Sequence, residues 1–209
     1  YTWGKLITYR QSNPNYAPPA APATGAGLLV WGRMTHQGVI LEPAFRVAAP
    51  ASAPSGPSLV RADGYAADGT LLFSYPVPTA HSMTAGVQTG HEEHFAGVLP
   101  LTASQEQALA KLSLVTPSGT VERNSTQAFQ AAGRQLFLRD PAASVVRPNA
   151  TQTTLRWDAA WYPMALVRDA ATGQILSFAR GGNATIWSTG RQVDVTFSDG
   201  LRSVVKRAQ

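Results

Sequence analysis

Short apolar runs that alternate with polar residues, broken by glycine turns, recur along most of this chain and restrict it to antiparallel β-structure. In QVDVTF, Val193, Val195 and Phe197 point one way while Asp194 and Thr196 point the other. A period of two belongs to a half-buried strand. Roughly a dozen such segments follow one another at the spacing of about 8–12 residues that marks sandwich folds. Asp68-Gly69, Ser118-Gly119, Thr172-Gly173, Thr189-Gly190 and Asp199-Gly200 supply the turns between them. Glycine reaches positive φ without steric cost, so these pairs suit tight hairpins. No long βαβ crossovers are present, which argues against a parallel sheet. Helical patterning is confined to YTWGKLITYR, where Trp3, Leu6 and Ile7 fall at i, i+3, i+4, and to one turn within TASQEQALA.

The expected fold class is therefore all-β, with two immunoglobulin/fibronectin-like antiparallel β-sandwich modules after a short N-terminal helix and linker. Two modules are favoured over one larger sandwich. Residues 1–26 form the helical segment and a linker stiffened by Pro14, Pro18, Pro19 and Pro22. Residues 27–140 form the first module and 141–209 the second, with Pro141 and Pro148 flanking AASVVR at the boundary.

Composition narrows the function. The 209 residues suffice for self-supporting cores, and the absence of cysteine excludes a disulfide framework, thiolate metal sites and a cysteine nucleophile. Charged residues make up 14% of the chain, against roughly 25% in typical soluble domains. Ser, Thr, Asn, Gln and Gly supply the polar surface instead, a balance common in exported β-proteins, so an extracellular or cell-surface location is expected. The net charge is +5, but the arginines are scattered singly from Arg10 to Arg207. No basic arm forms, and no nucleic-acid partner is expected. No apolar stretch approaches the roughly 18–20 residues of a membrane span. Tyr1 is not an initiator methionine, and the sequence reads as a piece of a longer polypeptide.

Candidate chemistry is sparse. His91-Glu92-Glu93-His94 invites comparison with zinc peptidases, which place two histidines at i and i+4 on a helix. Here the spacing is i, i+3, and the following FAGVLPL reads as a strand. That would send His91 and His94 to opposite faces, so no metal or cofactor is expected. Asp63 and Asp68 in RADGYAADGT lack the close oxygen spacing of a calcium loop, and two Asp-Gly turns explain them. No G-x-S-x-G element occurs, and a triad assembled in space has no local support. Trp31 and Trp157 lie within apolar strands and are assigned to the core. Trp161 and Tyr162, just after DAA, are expected to stand exposed and, with the loop of His91 and His94, to form the candidate binding contacts.

YTWGKLITYR resembles the chain just beyond the catalytic domain in a group of secreted bacterial zinc metallopeptidases, where a W-[IV]-S-D-Y-T-Y segment leads through a short helix into β modules. GLLVWGRM, ILEPAFRV, ADGTLLFSYPV and FAGVLPL are similar to the first of those modules, and TLRWD, MALVRDAATGQILSFARGG and FSDGLRS to the terminal one. The H-E-x-x-H helix, the third zinc ligand and the catalytic glutamate of that group do not occur in this chain. The resemblance therefore implies a non-catalytic accessory region, exported from a bacterium. It would stabilise or position an upstream catalytic domain of the same polypeptide, or hold a protein or glycan substrate. The alternative is a free-standing surface adhesin or carbohydrate-binding module.

Overall fold

A computed structural model describes residues 26–48, 58–81, 93–125, 140–149, 151–187 and 192–208. The expected N-terminal helix and linker up to residue 25, and the turn at Thr189-Gly190, lie outside the described residues. What is described is antiparallel β-structure with one short helix.

The first strands are organised by an interruption. β1 (Ala26–Thr35) turns into β2 (Gly38–Leu41), with Gly38 at φ 131°. Glu42-Pro43-Ala44 then breaks the ladder, since proline has no N–H to donate. The chain resumes along the same edge of β1 as β3 (Phe45–Ala48). β4 (Arg61–Tyr65) and β5 (Leu71–Pro76) form the hairpin expected at Asp68-Gly69. β6 (Thr79–His81) and β7 (Glu93–Pro100) follow. The helical turn expected in TASQEQALA is α1 (Ala103–Ala108). Thr102 caps it, accepting from Gln105 N at 3.2 Å, and Gln105 Oε1 accepts in return from Thr102 N at 2.9 Å. β8 (Lys111–Thr116) and β9 (Gly119–Asn124) pair through the Ser118-Gly119 turn.

The remaining strands are β10 (Ser144–Asn149), β11 (Gln152–Arg156), β12 (Met164–Asp169), β13 (Ile175–Arg180), β14 (Asn183–Trp187), β15 (Val193–Ser198) and β16 (Ser203–Ala208). Thr172-Gly173 and Asp199-Gly200 turn the β12–β13 and β15–β16 hairpins, as expected.

Four sheets result. Sheet 1 has the order β5-β4-β8-β9, and sheet 2 the order β2-β1-β7-β6 with β3 also on β1. Sheet 3 runs β13-β12-β15-β16 and sheet 4 runs β10-β11-β14. Side-chain alternation stacks them in that order. From β1, Leu28 and Val30 enter a core shared with Ala62, Phe73, Leu112 and Leu114 of sheet 1. Their neighbours Leu29 and Trp31 point the other way, into a second apolar layer with Phe45, Val47, Met164 and Leu166. β12 repeats the device: Met164 and Leu166 face sheet 2, while Ala165 and Val167 join Leu155, Ile186 and Phe197 between sheets 3 and 4. The central stretches of β1 and β12 are thus covered on both faces, which is why GLLVW and MALV read as unbroken apolar runs.

Two sequence expectations are corrected. Asp63-Gly64 is no turn; it lies mid-strand in β4. The Phe73 ring covers Gly64 so closely that a Cβ there would fall 2.2 Å from it. Asp63 is buried beneath Arg61, whose Nε and Nη2 reach its carboxylate at 2.9 Å, and accepts from Ser74 Oγ at 2.7 Å. Nor is β15 half-buried: Thr196 and Ser198 are as enclosed as Val195 and Phe197, because its second face meets the N-terminal sheets.

Candidate binding surfaces

The sequence candidates separate in space. His94 lies in β7 on the exposed side, opposite Arg33 of β1 and Ala80 of β6. β7 is a strand, as FAGVLPL suggested. His91 falls outside the described residues, so its position relative to His94 is not described. Among the described residues no group of three or more His, Asp or Glu side chains is arranged to hold a metal ion.

Trp161 and Tyr162 part company. Trp161 is half-buried and leans on the core between sheets 3 and 4. Tyr162 is fully buried, which overturns its expected exposure. The cause is a local turn: Asp158 Oδ1 accepts from Ala160 N at 3.0 Å, and Tyr162 N returns to Asp158 O at 3.0 Å. The chain folds back and sets the Tyr162 ring edge-on to Phe197 at 6.0 Å. Trp157 Nε1 then donates to Tyr162 O at 2.8 Å, which satisfies the indole inside the core. Trp157 is buried as expected, whereas Trp31 is only partly so, packed at the seam between sheets 2 and 3.

That seam joins the N-terminal and C-terminal sheets through apolar packing and long-range hydrogen bonds. The break at Pro43 leaves the backbone of Ala44 unpaired within sheet 2, and the C-terminal sheets complete it. Ala44 N donates to Gly200 O at 2.9 Å, and Ser198 Oγ donates to Ala44 O at 2.5 Å. Arg46 N donates to Ser203 Oγ at 3.0 Å, and Ser125 Oγ to Asp199 Oδ2 at 2.6 Å. Leu201, from the β15–β16 turn, enters the core of sheets 1 and 2. Buried Glu42 pairs with Arg180 across the seam. Beside it Arg123 donates to Leu41 O through Nε at 3.2 Å, and through Nη2. Burial pulls the Arg123 guanidinium below its ordinary pKa; Glu42 opposes this and the charge of Arg180 adds to it. None of these partners was legible locally, since each joins residues far apart in sequence.

One surface residue was also missed. Trp187, at the end of edge strand β14, is 73% exposed. The signal was present in NATIW: if Ile186 faces the core, period two sends Trp187 outward.

No model of a known protein family matches the chain, and no curated protein sequence is significantly similar to it.

Proposed function

We propose that this chain is the non-catalytic accessory region of a secreted, peptidase-type enzyme, composed of two immunoglobulin/fibronectin-like modules fused into one stiff arm. The strand order of the C-terminal sheets supports the module reading. Counting from β10, the first, second and fifth strands form one sheet, and the fourth, third, sixth and seventh the other. That is the three-plus-four pattern of a fibronectin-like sandwich.

The observation that carries the proposal is the seam. Modules that merely follow one another on a tether meet through modest, polar contacts. Here Phe45, Met164 and Leu166 are buried between the modules, and the orphaned backbone of Ala44 is satisfied from the other side. Such a joint fixes the distance and angle between whatever is attached at one end and whatever is bound at the other. Positioning a catalytic domain, or holding its substrate, needs that rigidity.

The test begins with the coding sequence that precedes Tyr1, where an H-E-x-x-H motif is expected. The whole protein is then compared with a form lacking residues 1–209. Loss of this region should slow cleavage of a macromolecular substrate while sparing a short peptide. An upstream sequence without a catalytic domain, or a deletion that alters neither activity nor thermal stability, overturns the proposal.

A further inference from the structure

The outward face of sheet 4 lies at the end of the four-sheet stack, on the far side from the N-terminal sheets. Its β11–β14 ladder is antiparallel and pairs Gln152 with Trp187, Thr154 with Thr185, and Arg156 with Asn183. Thr153, Leu155, Ala184 and Ile186 alternate with these residues and turn inward. All six named partners therefore stand on the outer face. Arg156, Asn183, Thr185 and Trp187 are exposed, and Gln152 and Thr154 half-buried.

We propose that this face is a binding platform for an acidic polysaccharide, serving the holding role assigned to the chain above. A single exposed indole presents a flat apolar surface that can receive the C–H face of a sugar ring. Beside it stand two amides and two hydroxyls, able to both donate and accept, as sugar hydroxyls require. A protein-binding centre would instead gather several large apolar or aromatic anchors and exclude water around them. Here Trp187 is the one aromatic side chain of the face, and the other large exposed apolar side chain among its described residues is Val146 of β10, across from Thr154. Charge selects among sugars. None of the six is acidic and Arg156 is basic, so the complementary ligand carries carboxylates, which a guanidinium can take bidentately. Four residues along a strand separate the rows of Trp187 and Arg156, about 13 Å at ~3.3 Å per residue. A chain lying along β14 would stack on Trp187 and present a uronate further on to Arg156.

Affinity electrophoresis of the whole chain in gels containing polygalacturonate, with a neutral glucan as control, tests this. Retardation by polygalacturonate is expected, and it should weaken with added salt. Trp187→Ala should weaken it by about tenfold or more, the scale of losing one anchoring aromatic. Arg156→Gln should weaken binding to polygalacturonate several-fold and leave any retardation by the glucan unchanged. Both side chains are exposed, so thermal melting should match that of the parent chain. Absence of retardation by polygalacturonate overturns the proposal, as does retardation that survives Trp187→Ala. Capture of a protein partner through Trp187 without polysaccharide binding overturns it too. An enzyme found to work equally well without this region would remove the peptidase link while leaving a positive gel result intact.

Discussion

Trp31 and Phe178 meet ring against ring across the seam, with centroids 5.0 Å apart and planes tilted by 42°. Phe45 approaches the same Phe178 ring edge-on at 6.0 Å. Trp31 Nε1 donates to Pro43 O at 3.0 Å, so the residue that breaks the sheet 2 ladder also orients the indole that fills the joint. Apolar packing and backbone repair at this seam depend on one short interruption in sequence.

Because that layer belongs to both sheet pairs, the chain should unfold as one cooperative unit. Urea transitions followed by tryptophan fluorescence and by far-ultraviolet circular dichroism should coincide. Phe45 is fully buried, and Phe45→Ala should cost about 3–5 kcal/mol through lost burial and the cavity left behind. Two separated transitions in the parent chain would show that the seam does not couple the halves.

Gly32 and Gly64 are both crowded, yet they should respond differently to alanine. A Cβ on Gly64 would strike the Phe73 ring at 2.2 Å, whereas a Cβ on Gly32 would fall 2.0 Å from the backbone oxygen of Ile40. Side chains can shift, but a strand in register cannot without losing its ladder. Gly64→Ala should cost about 1–3 kcal/mol and be partly rescued by Phe73→Leu. Gly32→Ala should cost more, and no single side-chain change should restore it; the midpoints of chemical denaturation of the three variants decide this.

Those glycines mark the limit of what the sequence discloses. Hairpins at Asp68-Gly69, Ser118-Gly119, Thr172-Gly173 and Asp199-Gly200 were legible because a turn is written in adjacent residues. Strand identity was legible from period two. Asp63-Gly64 carries the same dipeptide signal but serves a different end, since Phe73, nine residues on, requires a residue without Cβ. Tyr162 was misread because its burial depends on a fold-back stabilised by Asp158 and on a cavity walled by Phe197, 35 positions away. The pairing of Ala44 with Ser198 and Gly200 joins residues more than 150 positions apart, and no local pattern encodes it.

Asp68 provides a pH-dependent element. Its carboxylate accepts from Thr70 N at 2.9 Å, and this bond to the Thr70 backbone, with a further contribution from the Thr70 side chain, lowers its pKa below the ordinary carboxylate value. A group whose pKa is depressed on folding stabilises the folded state above its unfolded pKa. That stabilisation fades as pH falls through the folded value. The melting temperature of Asp68→Ala should therefore lie below that of the parent chain at neutral pH, and the gap should narrow on acidification through the carboxylate range. A gap that is constant with pH would contradict the assignment.

The β15–β16 turn should be the most sensitive polar element of the joint. Asp199 is fully buried, and its Oδ1 accepts from Leu201 N at 2.9 Å and Arg202 N at 2.7 Å, while Oδ2 accepts from Ser125 Oγ. The turn so held delivers Leu201 into the core of sheets 1 and 2. Asp199→Ala strands two buried N–H groups at about 1–3 kcal/mol each, so a loss of several kcal/mol is expected. Asp199→Asn keeps the Oδ1 acceptor and should cost clearly less. Leu201→Ala should cost about 2–5 kcal/mol by itself. If the carboxylate acts by seating Leu201, the double variant must lose less than the two single losses added together, because a turn already released no longer presents the leucine to its cavity. Strict additivity in denaturant titrations would mean that Asp199 and Leu201 stabilise the joint independently.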